Sequence, residues 1–84
     1  MKPIRLTKHA RGYIAQRGFT VEEVEDAIRT ATWEPSELHK MECKKNFPYN
    51  TIWNGTWYAT KQVRPIFIEE TSEIIVITVY TYFF

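Results

Sequence analysis

The residue pair with the clearest chemical meaning is a histidine and an arginine near the start of the chain. His9 and Arg17 are eight residues apart, which on a helix places them on one face about two turns, roughly 12 Å, apart. An imidazole exchanges protons near neutral pH and a guanidinium stays cationic, and phosphodiester cleavage uses both properties. The alternative is structural: His9 bonds locally at a helix N-terminus while Arg17 solvates the helix surface. Spacing alone favours this structural alternative.

The other reactive side chains form weaker patterns. His39, Glu42 and Cys43 have a spacing that would bring two metal ligands together on a helix, but a closed zinc site needs four ligands and few others are present. Cys43 would be a nucleophile if Lys44 and Lys45 lowered its thiol pKa, and no base can be assigned beside it. The three glycines are scattered, so there is no glycine-rich phosphate loop. We therefore expect no metal and no cofactor.

Composition limits the class of protein. The 84 residues are 44% hydrophobic and 25% charged, which is typical of one globular domain spanning residues 1–84. A single cysteine excludes an internal disulfide and favours a reducing compartment. The longest apolar run, residues 74–84, is too short to span a bilayer, and the basic N-terminus has no apolar signal segment. We expect a cytoplasmic protein with no membrane partner.

Charge is segregated along the chain although the net charge is only +1. Residues 1–20 carry five basic side chains and no acid, whereas residues 21–42 carry seven acids against two bases. Such segregation can give a nearly neutral molecule a positive face that suits a polyanion. Both signs can equally mix on solvated helix faces once the chain folds. The sequence does not favour one of these interpretations over the other.

The first half of the sequence predicts two helices. Thr7 is a candidate N-cap for a helix over residues 8–17, and Gly18 stands where a glycine ends such a helix. Thr20 and Glu23 form a capping box for a second helix. The apolar stripe of that second helix consists of Val21, Val24, Ala27, Ile28 and Ala31.

The second half predicts strands. Asn54-Gly55 is the strongest hairpin signal in the chain, and residues 66–68 and 74–82 form another pair, with Pro65 at a strand start. The last strand is apolar on both alternating faces, which indicates a central position covered on both sides, and cover by the helices on one side alone is the alternative. Segment 37–46 is either a further strand or an irregular arm. We therefore expect an α+β fold, with two N-terminal helices packed on an antiparallel sheet of about four strands.

Two motifs resemble those of a small bacterial family, domain of unknown function 4258. One is Thr7-Lys8-His9-Ala10 with Arg17-Gly18-Phe19-Thr20 and Val24, and the other is the strand over residues 73–80. Family members typically read HA…R…RGIS…V…AI and end in a strand such as IIVITVY. The resemblance covers both ends of the chain, and residues 34–62 match weakly. The family is similar in fold to the RelE-like toxins and to barnase-type ribonucleases, which implies a RelE-like layout.

The resemblance implies roles for individual side chains. It makes His9 the general acid or base and Arg17 a contact to the phosphate or the transition state. Thr78 and Tyr80 share one face of the last strand and are candidates to orient a phosphate or a 2′-hydroxyl. Tyr13 stands where family members often have an arginine, and it can stack on a base instead. Arg64, near a strand start, is a cationic candidate by position only, and the candidate substrate-binding residues are Tyr13, Arg11, Arg64 and Lys61. The aromatic side chains that are candidates for stacking on single-stranded RNA are Trp53, Trp57 and Tyr58.

These roles lead to one leading hypothesis and two rivals. The leading hypothesis is a metal-independent RNA-cleaving domain, a candidate toxin of a toxin–antitoxin pair, whose partners are RNA, the ribosome and an antitoxin. The first rival is a non-catalytic RNA- or protein-binding module that retains the fold. The second rival gives the motif a core role only, with His9 buried and Arg17 paired with an acid of the second helix. For Trp57, packing across the hairpin is the favoured alternative to stacking on RNA.

Overall fold

Three short helices and six strands form the fold of all 84 residues in the computed structural model. The helices are α1 (Lys8–Gly12), α2 (Ile14–Arg17) and α3 (Val21–Thr30). The strands are β1 (Ile4–Leu6), β2 (Glu34–Pro35), β3 (Met41–Glu42), β4 (Lys45–Trp53), β5 (Thr56–Glu69) and β6 (Ile74–Phe83). The α+β class is as expected, but the predicted layout of two helices on a four-stranded antiparallel sheet, RelE-like, is wrong. None of the helices has the length and apolar content needed to cross a membrane.

The helix predicted over residues 8–17 is interrupted at Tyr13. It begins as predicted, because the Thr7 hydroxyl accepts a hydrogen bond from the backbone N–H of Ala10. Tyr13 then adopts φ −100° and ψ 1°, outside the helical region, directly after Gly12, which has a low helix propensity. Gly18 ends α2 with φ 74°, a left-handed conformation that glycine adopts without strain. Two helical segments therefore replace the single predicted helix.

The predicted capping box starts α3. The Thr20 hydroxyl accepts from the backbone N–H of Glu23, and the Glu23 carboxylate accepts from the backbone N–H of Thr20. The apolar stripe then packs against one face of the sheet, with Val24, Ala27 and Ile28 buried. The twelve residues of the hydrophobic core are Leu6, Ala10, Phe19, Val24, Ala27, Ile28, Cys43, Val63, Phe67, Ile74, Val76 and Val79.

The sheet is mixed because the unpredicted strand β1 pairs in parallel with β6. The strand order is β1-β6-β5-β3-β2. Strand β4 pairs with residues 56–63 of β5, whereas β3 pairs with Ile66 and Phe67 further along the same strand. Asn54-Gly55 forms the predicted hairpin between β4 and β5, with φ 49° and 84°, as a two-residue turn with positive φ at both positions requires. Segment 37–46 contributes β3 and the start of β4. Strand β6 lies between β1 and β5, but β1 covers only Ile74–Val76.

Pro65 lies inside β5 and not at a strand start as predicted. The carbonyl of Pro65 accepts a hydrogen bond from the backbone N–H of Cys43. In an antiparallel ladder the N–H and C=O of one residue point to the same neighbour, so the missing N–H of Pro65 faces the junction between β3 and β4. The proline therefore lies opposite the break between β3, which ends at Glu42, and β4, which begins at Lys45. Because its nitrogen faces this break, the proline removes no hydrogen bond to β6.

The helices cover only one face of the sheet, and β6 is not enclosed on both faces. Tyr80 and Tyr82 alternate with buried Val79 along β6 and are exposed on the opposite face. We call that opposite side the open face. The β5–β6 ladder has a bulge between Ile66 and Phe67, where Ile66 pairs with Thr78 and Phe67 with Val76. The extra residue in β6 shifts the alternation of buried and exposed side chains along this apolar strand.

Candidate functional site

His9, Tyr13 and Arg17 form a continuous row on the first two helices. The centroids of the His9 and Tyr13 rings are 5.0 Å apart in an edge arrangement, and the Arg17 Cζ lies 3.9 Å from the centroid of the Tyr13 ring. The spacing of four residues preserves this alignment despite the interruption at Tyr13. The imidazole and the guanidinium therefore flank one aromatic ring.

Arg17 reaches from α2 to the edge of β6. Its Nη1 donates to the Thr78 hydroxyl at 3.2 Å and to the Val79 carbonyl at 2.9 Å, and its Cζ lies 5.2 Å from the centroid of the Tyr80 ring. This edge is accessible because β1 ends opposite Val76. The structure thus brings five predicted site residues together as the Arg17 cluster, which consists of His9, Tyr13, Arg17, Thr78 and Tyr80.

The Arg17 guanidinium has no acidic partner. The five ion pairs of the structure involve Lys2, Arg5, Lys45, Lys61 and Arg64, and the hydrogen-bond acceptors of Arg17 are neutral. His9 is exposed. The interpretation that gives the motif a core role only required a buried His9 and an Arg17 paired with an acid of the second helix, so it is wrong. A fixed guanidinium held by neutral acceptors keeps its charge for an external anion.

An open groove of about 660 Å³ lies beside the Arg17 cluster on the open face. Thr78 and Tyr80 form one side of this open-face groove, and residues 35–37 and Lys40 form the other. Arg64 lies directly opposite Tyr80 in the β5–β6 ladder and lines the groove together with Ile66. The cluster and the groove therefore share Thr78 and Tyr80.

Arg64 differs from Arg17 because a carboxylate binds it. Its guanidinium pairs with Glu42 on β3, and the hydrogen bond from this pair raises the pKa of Arg64, with a further contribution from the Tyr82 hydroxyl. Glu42 and Tyr82 also line the open-face groove. The predicted substrate-binding residue is therefore one half of a charge-balanced pair.

The two remaining predicted cations differ in burial. Lys61 is buried on the helix face, where its Nζ donates to the Gly18 carbonyl at 3.0 Å and pairs with the Glu23 carboxylate at 2.8 Å. This arrangement accounts for Lys61 by internal contacts, and the lysine does not join the Arg17 cluster. Arg11 is exposed on α1, two residues after His9.

The three predicted stacking residues separate into two groups. Trp53 stacks on Phe83 with centroids 4.9 Å apart, and Tyr58 packs against the same ring. Trp57 is the exposed member, at 56%, and pairs across the hairpin with Ile52. The favoured packing role thus belongs to Trp53 and Tyr58, whereas Trp57 remains available to solvent.

Cys43 lacks the lowered thiol pKa that a nucleophile would need. Burial raises the pKa of the thiol to about 11, and the nearby Glu42 carboxylate adds to this effect. Lys44 and Lys45 do not offset this rise, because the side chain lies in the core. No three His, Cys, Asp or Glu side chains converge in a way that could hold a metal ion.

Sequence reasoning missed two groups at the site. Tyr82 was identifiable in principle, since it shares strand parity with Tyr80. Glu42 was not, because its contact with Arg64 depends on the register of β3 against β5, and it appeared only as a weak metal candidate. No family model, no curated protein and no solved structure matches the chain.

Proposed function

We propose that the protein cleaves RNA without a metal ion at the Arg17 cluster. One observation carries the proposal: a guanidinium without an acidic partner lies between the rings of Tyr13 and Tyr80, in a row with an exposed histidine. A cation fixed in this way can bind a phosphate and stabilise the charge that develops on it. The basic first segment, with Lys8 and Arg11 exposed on α1, supports binding of a polyanion.

The chemistry assigns roles to four members of the cluster. A base removes the proton of a 2′-hydroxyl, and the 2′-oxygen forms a bond to the adjacent phosphorus while the bond to the 5′-oxygen breaks. An acid gives its proton to the leaving 5′-oxygen, so the products are a 2′,3′-cyclic phosphate and a 5′-hydroxyl. His9 supplies the base or the acid, Arg17 binds the phosphate, and Thr78 and Tyr80 orient the reacting groups.

The biological setting belongs to the same proposal. The resemblance to domain of unknown function 4258 stays a prediction, as do a role as a toxin and partnerships with a ribosome and an antitoxin. What supports them is the set of side chains that the motif singles out, since His9 and Arg17 both contact the Tyr13 ring within the cluster. His9 and Arg17 share the neighbour Tyr13, and Tyr13 occupies the position where family members often have an arginine.

The decisive experiment compares the two histidines of the chain. Labelled single-stranded RNA is incubated with EDTA and with wild type, His9→Asn or His39→Asn, and the cleavage products are resolved by gel. His39 has a positive φ of 64° and is exposed in the turn before β3; asparagine tolerates that conformation. We expect a loss of 100-fold or more for His9→Asn, in the range for a general acid or base, and no change for His39→Asn.

A specific observation favours a second function, a binding module without catalysis. The Tyr13 ring separates the imidazole from the guanidinium, so the two groups do not share a direct contact. In that case RNA binds with an affinity that falls as salt rises, and no cleavage occurs on free RNA or on translating ribosomes. Equal cleavage by wild type and His9→Asn would also exclude the proposed mechanism.

A further inference from the structure

The open-face groove differs in charge from the Arg17 cluster beside it. The groove lining carries two cations, Lys40 and Arg64, and two acids, Glu37 and Glu42, so its formal charges balance. Arg64 is paired directly with Glu42. In the cluster the Arg17 guanidinium has only neutral acceptors. A phosphate is therefore attracted to the cluster and gains little from the groove.

The groove has instead the surfaces that a nucleobase requires. Tyr82 presents an exposed ring, Ile66 provides an apolar floor, and the Arg64–Glu42 pair presents donors and acceptors side by side. A base has two flat faces that stack on aromatic rings and an edge that carries both donors and acceptors. The groove volume of about 660 Å³ lies within the range of small-ligand pockets, roughly 300–1,000 Å³.

Tyr80 connects the two regions. Its ring lies 5.2 Å from the Arg17 Cζ, and its backbone position is directly opposite Arg64. We infer that the open-face groove binds the base of a nucleotide next to the phosphate held by Arg17. The base stacks on Tyr82, and its edge contacts the Arg64–Glu42 pair.

This inference rests on the proposed function and specifies its substrate. A base inside a duplex is stacked and paired, and its edges and faces are not accessible to such a groove. The substrate is therefore single-stranded RNA, and contacts in the groove select among bases while Arg17 contacts every phosphate alike. Direct binding measurements can test the groove without relying on cleavage.

The first measurement is the affinity of a fluorescein-labelled 2′-O-methyl RNA decamer, which has no free 2′-hydroxyl to react, by fluorescence anisotropy. We expect Tyr82→Leu to weaken binding by about 10-fold, as for the loss of one stacked base, and Tyr82→Phe to retain most of the affinity. Phe84→Leu is the matched control, because Phe84 is an exposed aromatic residue two positions after Tyr82 that lines no part of the groove. Absence of binding by wild type, or equal losses for the Tyr82→Leu and Phe84→Leu variants, overturns the inference.

The second measurement is the dependence of the affinity on salt. The double variant Arg64→Gln/Glu42→Gln removes the ion pair without changing the net charge. We expect it to weaken binding with an unchanged slope of log K against log salt concentration, whereas Arg17→Gln lowers the slope by about 0.7, the value for one phosphate contact on a single strand. A slope that falls equally for both variants shows that the groove holds a phosphate, and the inference is then wrong.

The outcomes separate the inference from the proposed function. If wild type cleaves RNA but Tyr82→Leu binds the decamer as tightly as wild type, the groove assignment fails and the cleavage proposal stands. If the decamer binds in a Tyr82-dependent manner but no RNA is cleaved, the cleavage proposal fails and the groove still binds a base. Thermal unfolding of each variant verifies that the measured differences come from folded protein.

Discussion

The Arg17 guanidinium lies over the ring of Tyr13, with its Cζ 3.9 Å from the ring centroid. The same guanidinium donates to the carbonyl of Val79 at 2.9 Å, so Tyr13 and β6 hold it from two directions. Tyr13 is also half-buried against the core. The ring therefore positions the cation as well as packing between helix and sheet.

This contact predicts different effects for two substitutions of Tyr13. Tyr13→Leu removes the cation–π contact, worth about 0.5–1 kcal/mol, together with part of the packing, and we expect the free energy of unfolding to fall by about 1–2 kcal/mol. Tyr13→Phe keeps the ring and is expected to lose less than about 0.5 kcal/mol. Urea unfolding measures both. Equal losses for the two variants would show that the ring does not hold Arg17.

Gly18 makes a second prediction because it combines a left-handed backbone with a close aromatic neighbour. A methyl group at this position would lie 2.6 Å from the Cη2 of Trp53, and φ is +74°. We expect Gly18→Ala to destabilise the protein by about 2–4 kcal/mol, the sum of backbone strain and overpacking.

Substitutions of the other two glycines distinguish backbone strain from overpacking as causes of the destabilisation. Gly55 has φ +84° but nothing within 4 Å of the added methyl group, so Gly55→Ala is expected to cost only about 1–2 kcal/mol. Gly12 has an open site as well, and Gly12→Ala is expected to be neutral or to stabilise α1 by up to about 1 kcal/mol. Chemical denaturation of the three variants gives the comparison, and a Gly18→Ala cost no larger than that of Gly55→Ala would exclude a clash with Trp53.

Local signals were enough to predict the helix starts and one hairpin of the fold. The Thr7 cap, the capping box of α3 and the Asn54-Gly55 hairpin each depend on residues within a few positions of one another. The row of His9, Tyr13 and Arg17 is also local, since it follows from a spacing of four. These features therefore need no knowledge of the tertiary structure.

Features that depend on strand register were not predictable in the same way. β1 has only three residues, too few for an alternating pattern, and its parallel pairing joins the two ends of the chain. The burial of Lys61 and the pairing of Arg64 with Glu42 likewise depend on partners that lie 38 and 22 positions away. Sequence reasoning therefore identified Lys61 and Arg64 as free cations, although both are paired in the fold.

The buried position of Lys61 makes a third prediction, which separates a structural role from RNA binding. The side chains of Lys61 and Glu23 are only 9% and 19% exposed, and Lys61 also satisfies the Gly18 carbonyl. Lys61→Met leaves the partly buried Glu23 carboxylate without its cation and the Gly18 carbonyl without a donor, and we expect a loss of about 2–4 kcal/mol.

A more exposed ion pair, between β4 and the same helix α3, provides the control for Lys61. Lys45 pairs with Asp26 at 2.9 Å, but these side chains are 33% and 43% exposed, so Lys45→Met is expected to cost less than about 1 kcal/mol. Thermal and urea unfolding measure both variants. If Lys61→Met is as stable as Lys45→Met while RNA affinity falls, Lys61 acts on the ligand and not on the fold.

The raised pKa of Cys43 predicts how stability depends on alkaline pH. The pKa moves from an ordinary value of 9.0 to about 11 in the folded protein, first because burial disfavours the thiolate and second because Glu42 is near. A raised folded-state pKa means that the unfolded chain loses its proton first, so this contribution to stability is complete below pH 9 and declines as pH rises towards 11. Cys43→Val removes the titrating group and fills a similar volume. We expect the free energy of unfolding of wild type to fall more steeply than that of Cys43→Val between pH 9 and 11. Parallel curves would show that the thiol titrates alike in both states, contrary to its burial at 3% exposure.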